Sequence, residues 1–157
     1  MTTHLNKKNK PKIIDISMKK ISKRIAVAEG MIEFSKSTFK KIESLENKKG
    51  EIENIAILAG ILGAKKTSEL IPLCHNINLE DIIIEIKSIK KLNSLKIRSL
   101  IKSKGKTGVE MEALTAVSLA CLTVYDMCKS IDKKIIINNI RLIKKTGGKS
   151  NINNSKK

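Results

Sequence analysis

The sequence reads Asp-Ile-Ile-Ile-Glu-Ile-Lys-Ser at residues 81–88 and Leu-Lys-Ile-Arg-Ser-Leu-Ile-Lys at residues 95–102. In the first run, Ile82, Ile84 and Ile86 occupy alternate positions, and Glu85 and Lys87 lie on the opposite face. An apolar residue at every second position is typical of a β-strand with one buried face. The second run repeats this alternation less regularly, and a short polar segment joins the two. Together the runs predict an antiparallel hairpin.

The segments on either side of the hairpin alternate between strands and helices. We expect one or two irregular strands within 13–34, helices at 36–46, 51–69 and 109–129, and a last strand at 134–144. Helices that cover an antiparallel sheet make an α+β fold, and this element order predicts a ferredoxin-like topology. We expect residues 1–12 to be a disordered head, 13–150 a single domain and 151–157 a flexible tail.

Two of the helices are predicted to be closely packed. Ala56, Gly60 and Ala64 recur every four residues, and small side chains on one face let a neighbouring element approach. Residues 113–125 are apolar or small almost all round, apart from hydroxyls. That composition is typical of a buried helix.

The charge is strongly positive, with 32 Lys and Arg against 15 Asp and Glu, a formal net charge of +17. One interpretation is a small basic RNA-binding module. The other is an enzyme with an anionic substrate. The lysines are spread along the whole chain, and aromatic residues make up only 2% of it, so platforms for stacking single-stranded bases are nearly absent. Charge alone does not decide between the two.

Features that would indicate export, a membrane span or a metal site are missing from the sequence. The amino-terminal residues have no apolar core, and the run at 55–64 is half the length of a spanning helix. The three cysteines, Cys74, Cys121 and Cys128, form neither a CxxC pair nor a zinc spacing. We therefore expect a cytoplasmic protein without disulfides, metal or a membrane partner.

Gly105-Lys106-Thr107 lies between a predicted strand and a predicted helix, as the end of a nucleotide-binding P-loop would. The full motif requires a glycine five residues earlier, and Leu100 occupies that position. The sequence therefore excludes a P-loop, and a glycine turn that opens a helix remains.

Charged residues stand at both ends of the helix predicted at 109–129. Glu110 and Glu112 lie in its first turn, where the helix dipole alone would favour carboxylates. Asp126 and Lys129 share a face near its end, where an ordinary surface ion pair is the simplest interpretation. Because the helix is predicted to be buried, burial and mutual attraction could instead tune both groups for proton transfer.

Three loops contain further residues that could take part in a functional site. Cys74-His75 follows a proline between helix and strand, and a lone loop histidine is usually only solvated. Lys49-Gly50 and Gly147-Gly148-Lys149 each place a lysine beside flexible glycine. Either loop could bind a phosphate, and either could be an ordinary lysine-rich loop.

Several motifs in this order resemble the cyclic pyranopterin monophosphate synthase family of molybdenum cofactor biosynthesis (accessory protein C). The matching segments are Ile14-Asp15-Ile16-Ser17, Lys23-Arg24, Ala28-Glu29-Gly30, Lys49-Gly50, Leu70-Ile71-Pro72-Leu73-Cys74-His75, Lys106-Thr107-Gly108-Val109-Glu110-Met111-Glu112-Ala113-Leu114-Thr115, Tyr125-Asp126-Met127-Cys128-Lys129, Arg141-Leu142 and Gly147-Gly148-Lys149-Ser150. The likeness covers roughly residues 13–150. Glu51, Asn76 and Asn47-Lys48 depart from the family's pattern, which affects the details of two loops.

The resemblance implies a ferredoxin-like fold assembled as a hexamer of paired subunits. It implies a reaction, without a redox cofactor, that converts a cyclised dihydroguanosine triphosphate into cyclic pyranopterin monophosphate and diphosphate. The family's general acid–base residue falls on Asp126, with Lys129 and Lys49 as its partners. The substrate-contacting residues fall on Leu73, Cys74, His75, Met111 and Glu112, with support from Glu110 and Lys149. A non-enzymatic assembly subunit is a third interpretation, which the small-residue helix faces would allow.

Overall fold

The computed structural model describes residues 4–6, 8–44 and 46–154, with the backbone alone for 46–49. Its strands are β1 (Ser22–Glu33), β2 (Leu79–Ile89), β3 (Ser94–Gly105), β4 (Ile136–Thr146) and β5 (Ile152–Asn153). Its helices are α1 (Lys36–Ser44), α2 (Glu46–Lys65), α3 (Thr67–Leu70) and α4 (Glu110–Cys128), with a single 3₁₀ turn at Lys90–Leu92.

The five strands form one sheet in the order β2-β3-β1-β4-β5, and every neighbouring pair is antiparallel. The chain leaves central strand β1, runs through three helices, returns as the β2–β3 hairpin and crosses back through α4 to β4. This is the predicted α+β fold with ferredoxin-like topology.

The hairpin follows the alternation of its sequence. Ile84 pairs with Ser99 and Ile86 with Ile97 on the face that the helices cover. Asn93 closes the turn with a φ of +47°, a left-handed conformation that asparagine tolerates better than most residues.

The core lies between the sheet and the helix layer. Ile32 of β1 and Leu95 and Ile97 of β3 are completely buried, as are Val117 and Val124 of α4. Strands β1, β2 and β3 therefore contribute alternate residues to one contiguous apolar layer beneath the helices, which is the usual organisation of such folds.

Glycines allow α4 to lie unusually close to its neighbours. A methyl group added to Gly30 of β1 would lie 2.7 Å from Val117, and one added to Gly60 of α2 would lie 3.1 Å from the carbonyl oxygen of Ala116. Ala56 and Ala64 are buried beside Gly60. The predicted small-residue stripe is therefore the face that α2 turns toward α4.

Several boundaries differ from the prediction. Residues 13–34 contain one strand, β1, which agrees with the expected one or two, but α2 begins five residues earlier than expected, and residues 67–70 form a separate helix. Strand β5 was not predicted, because two residues carry no periodic pattern. The helix predicted to be buried at 113–125 is buried on one side, but Leu122 on the other side is 53% exposed. The sheet and α2 cover α4 on one side only, which leaves its outer side open.

Helix α4 is long and apolar enough to cross a membrane by length and composition alone. Core helices pass the same test. Ala113, Ala116, Ala120 and Cys121 are completely buried against the rest of the chain, so α4 is a core helix of this fold.

Candidate active site

The amino-terminal end of α4 forms one wall of a cavity of about 300 Å³, here named the enclosed cavity. Its lining comes from the amino-terminal segment, the loop after α3 and the first turn of α4, and consists of His4, Ile14, Ile16, Lys19, Leu73, Cys74, His75, Ile77, Thr107, Gly108, Glu110, Met111 and Glu112. Six of the seven predicted substrate-binding residues are in this set. Residues from three separate segments of sequence thus meet at one place.

Two buried serines of β3 hold these segments together. The Ser99 hydroxyl donates to the carbonyl of Ala113 in the first turn of α4 at 2.8 Å. The Ser103 hydroxyl donates to the carbonyl of Asn78, which follows the Cys74-His75 loop, at 2.7 Å. Both serines are completely buried, so the central sheet fixes both walls of the enclosed cavity.

Glu112 is a buried acidic residue of the enclosed cavity, and its pKa is strongly raised. It is 4% exposed, and one of its carboxylate oxygens has no hydrogen-bond partner among the described residues. Burial, reinforced by the nearby Glu110 carboxylate, raises the pKa of Glu112 to about 7. Burial and the charge of Glu112 also raise the pKa of the Cys74 thiol. Glu112 can therefore hold or release a proton near neutral pH.

A second cavity of about 170 Å³, here named the basic cavity, adjoins the first. Its lining consists of Lys19, Arg24, Ile25, Lys106, Thr107, Gly108, Glu110, Lys145, Thr146, Gly148 and Lys149. Lys19, Thr107, Gly108 and Glu110 belong to both cavities. Glu110, its one carboxylate, accepts a hydrogen bond from Lys145 at 2.9 Å. The excess of cations suits an anionic ligand with several oxygens.

Arg24 holds the two turns that line the basic cavity. It is 8% exposed, and it donates to the carbonyls of Gly105 and Lys106 at 3.2 Å each. The second turn contains Gly147, which lies beside Arg24 and packs against the Lys23 carbonyl. Gly147 has a φ of +87°, a conformation that suits glycine. Strand β1 therefore positions both turns.

The carboxyl-terminal end of α4 has a different environment. Lys129 donates to Asp126 at 2.6 Å, and their side chains are 59% and 71% exposed. This hydrogen bond raises the pKa of Lys129. The expectation that burial tunes both groups is wrong within the single chain, because they lie on the outer side of α4, which neither the sheet nor α2 covers.

Comparison with known proteins assigns this architecture to a family. The sequence model of the MoaC family matches residues 13–148. The chain belongs to the MoaC family. It is 49% identical over 155 residues to the cyclic pyranopterin monophosphate synthase of Helicobacter pylori strain Shi470, covering 99% of this chain and 98% of that protein. It is 45% and 46% identical over 148 residues to the proteins of that name from Heliobacterium modesticaldum and Peptoclostridium acidaminophilum, covering 94% of this chain and 93% of each relative.

The residues predicted from the MoaC resemblance fall into three groups. Leu73, Cys74, His75, Glu110, Met111 and Glu112 line the enclosed cavity, and Glu110 and Lys149 line the basic cavity. Asp126 and Lys129 lie together at the far end of α4. The side chain of Lys49 lies outside the described residues. One chain therefore brings the predicted substrate-binding residues to two adjoining cavities and places Asp126 and Lys129 away from both.

Four cationic residues of the basic cavity were missed by the sequence analysis: Lys19, Arg24, Lys106 and Lys145. Arg24 and Lys106 lie in segments that matched the MoaC family, but no role was assigned to them. An arginine on the covered face of a strand was a usable signal, because buried charges usually have a specific task. Lys145 carries no local signal, because it is one of many lysines in the sequence.

Proposed function

We propose that this chain is a cyclic pyranopterin monophosphate synthase, a lyase of molybdenum cofactor biosynthesis. It would convert (8S)-3',8-cyclo-7,8-dihydroguanosine 5'-triphosphate into cyclic pyranopterin monophosphate and diphosphate. The observation that carries the proposal is 49% identity, over 99% of the chain, to a relative of that name. The clustering of the predicted substrate-binding residues around two joined cavities supports it.

The two cavities suggest how the substrate is divided between them. The enclosed cavity offers apolar walls from Ile14, Ile77 and Met111 and polar groups from His75 and Glu112, a combination that suits a ring system with hydrogen-bonding edges. The basic cavity would hold the phosphate chain. Cations there would stabilise the charge that develops as diphosphate leaves.

The proton transfers are assigned to Asp126, with Lys129 and Lys49 as its partners. Opening one ring, closing another and forming a cyclic phosphate each require a proton to move at a defined atom. Asp126 lies fourteen residues beyond Glu112 on α4, which corresponds to about 21 Å along a straight helix. One helix therefore does not bring both carboxylates to one reacting centre.

We propose that a second subunit completes each site. The outer sides of the helices carry Ile55, Leu58 and Leu62 of α2 and Leu122 of α4, which are 47–57% exposed. Exposed leucine and isoleucine side chains on neighbouring helices favour association with another protein surface. The proposed assembly is a cytoplasmic hexamer of paired subunits without a nucleic-acid or membrane partner. It would need no metal or redox cofactor.

Product analysis tests the proposed activity. The purified full-length chain is incubated with the cyclised guanosine triphosphate, and the products are followed by mass spectrometry and a diphosphate assay. We expect diphosphate and cyclic pyranopterin monophosphate to form in equal amounts. A folded, oligomeric protein that released no diphosphate would overturn the proposal. RNA binding with a steep salt dependence and no turnover would instead favour the basic binding module.

A further inference from the structure

Residues 14–19, here named the amino-terminal strap, lie across the enclosed cavity and are attached at two points. The Ile14 carbonyl oxygen lies 2.7 Å from Nε2 of His75. The Ser17 carbonyl accepts a hydrogen bond from Nζ of Lys106 at 2.6 Å. Asp15 shapes the strap between these points by accepting a hydrogen bond from the backbone N–H of Ser17 at 2.8 Å. The strap therefore connects the Cys74-His75 loop to the turn before α4.

The first attachment determines which nitrogen of His75 carries the proton. A carbonyl oxygen has no hydrogen to give, so Nε2 must be the donor in this contact. In a neutral imidazole the other nitrogen is then unprotonated and can only accept. Among the described residues, Nδ1 of His75 makes no hydrogen bond to the protein. His75 lines the enclosed cavity, so its ring lies within reach of a ligand there.

We propose that the amino-terminal strap, through the Ile14 carbonyl, fixes His75 in the Nε2–H tautomer, so that His75 accepts a hydrogen bond from the substrate at Nδ1. The strap is then a positioning element of the site. The group that His75 recognises is an O–H or N–H of the nucleoside part. This inference rests on the proposed function for the identity of the ligand, but the tautomer itself does not depend on it.

The surroundings of His75 favour this role over that of a phosphate-binding cation. Five cationic side chains already line the adjoining basic cavity: Lys19, Arg24, Lys106, Lys145 and Lys149. A phosphate oxygen could not donate to Nδ1, whereas a hydroxyl or ring N–H could. Four of these five cations line the basic cavity alone, and only Lys19 also lines the enclosed cavity.

Nitrogen NMR of the full-length protein tests the tautomer directly. The chain contains only two histidines, His4 and His75, so histidine-labelled protein gives two sets of ring signals. The His4→Gln and His75→Gln variants assign them. We expect the couplings of His75 above neutral pH to show a protonated Nε2 and a bare Nδ1. A protonated Nδ1, or an imidazolium, would overturn the proposal.

Two substitutions separate the strap contact from the contact with substrate. The amide N–H of glutamine in His75→Gln can reach the position of Nε2 and keep the Ile14 contact, but it offers no acceptor at the position of Nδ1. We expect unchanged hydrogen exchange in residues 14–19 and a loss in kcat/KM of about tenfold or more. The shorter amide in His75→Asn lies near the position of Nδ1 and cannot reach Ile14, so exchange in the strap should rise.

These measurements keep the inference distinct from the proposed function. If the wild-type chain releases no diphosphate, the function fails while the NMR spectrum still decides the tautomer. If the chain is active and Nδ1 carries the proton, the inference fails and the function stands. Full activity of His75→Gln would also overturn the inference, because Nδ1 would then have no part in substrate binding.

Discussion

The two ends of α4 both carry carboxylates that match motifs of the MoaC family, yet their surroundings are opposite. Glu112, in the first turn, is 4% exposed and lines a cavity built from three chain segments. Asp126, in the last turn, has a side chain that is 71% exposed, and among the described residues its side chain pairs only with Lys129. The first environment alters a pKa through burial, whereas the second leaves its groups in water.

This difference indicates which part of the site a single chain can build. Within the same subunit, Ser99 fixes the first turn of α4, Ser103 fixes the opposite wall at Asn78, and Arg24 fixes the turn before α4. The carboxyl-terminal end has no equivalent enclosure among the described residues. Acid–base catalysis depends on excluding water and orienting the reacting groups. For the proposed catalytic role, the carboxyl-terminal end of α4 must therefore be shielded from water, and a second subunit would shield it in the proposed assembly.

The largest effect is expected for Asp126→Asn. An amide cannot exchange the proton, so activity should fall by at least about 10²-fold, the loss typical of a general acid–base group. Because the side chain is exposed, the fold should be unchanged. Single-turnover diphosphate release measures the first effect and thermal unfolding the second.

Asp81→Asn is the matched control for this substitution. Asp81 also accepts from a lysine, Lys102, at 2.7 Å, and it lies outside both cavities. It should retain nearly full activity. Normal turnover by Asp126→Asn would remove Asp126 from the mechanism and leave the exposed end of α4 without a catalytic role.

Lysine substitutions test whether activity depends on specific lysines or on general positive charge. Lys129→Ala and Lys49→Ala should each be nearly inactive, because both lie in motifs matched to the MoaC family. Lys90→Ala and Lys91→Ala remove the same charge from the hairpin turn and should leave the activity unchanged. Steady-state kinetics of the four variants measure this, and equal losses at all four positions would mean that only overall basicity matters.

Mixing two inactive variants tests whether the two ends of α4 from different chains meet at one site. In random pairs of Asp126→Asn and Glu112→Ala subunits, half the pairs are mixed and each mixed pair has one intact site. About a quarter of the wild-type activity should therefore return. Native mass spectrometry checks that subunits have exchanged. No recovery after exchange, or a fully active monomer, would contradict the shared site.

The smallest effect concerns the stability contributed by Glu112. Its pKa rises from an ordinary value of 4.5 to about 7 on folding, so the folded state binds the proton more tightly. The resulting stabilisation is complete below pH 4.5 and is lost as pH rises to about 7. We expect a loss on the order of 1–3 kcal/mol across this range.

Glu112→Gln should lack this loss, because an amide does not titrate. Urea unfolding of both proteins at several pH values isolates the contribution of Glu112 from those of other groups. Parallel stability curves for the two proteins would show that Glu112 titrates as an ordinary exposed carboxylate.

The fold was predictable because its main elements have strong periodic patterns. The alternating isoleucines of β2 and the long apolar run of α4 identified both elements to within a few residues. The boundary between α2 and α3 and the two residues of β5 depend on tertiary contacts. The open side of α4 was not predicted, because an apolar composition on all sides of a helix does not reveal whether its own chain or another chain covers it.

Motif resemblance predicted seven substrate-binding residues, and the structure brings six of these candidates to one cavity. From the local sequence alone, Glu110 and Glu112 would have been interpreted as ordinary carboxylates that the helix dipole favours in a first turn. The contribution of the amino-terminal strap could not be predicted, because it depends on contacts that only the folded chain makes. These are the contact of the Ile14 carbonyl with His75 and that of the Ser17 carbonyl with Lys106. The roles of Asp126, Lys129 and Lys49 remain predictions.

The length of α4 has a consequence of its own. If its two ends serve different reacting centres, the helix acts as a spacer of fixed length and phase between them. One inserted residue would move Asp126 by about 1.5 Å along the axis and rotate it by about 100° relative to Glu112. Insertions and deletions should therefore be tolerated in the hairpin turn or the carboxyl-terminal tail but not within 110–128, even at positions that contact neither cavity.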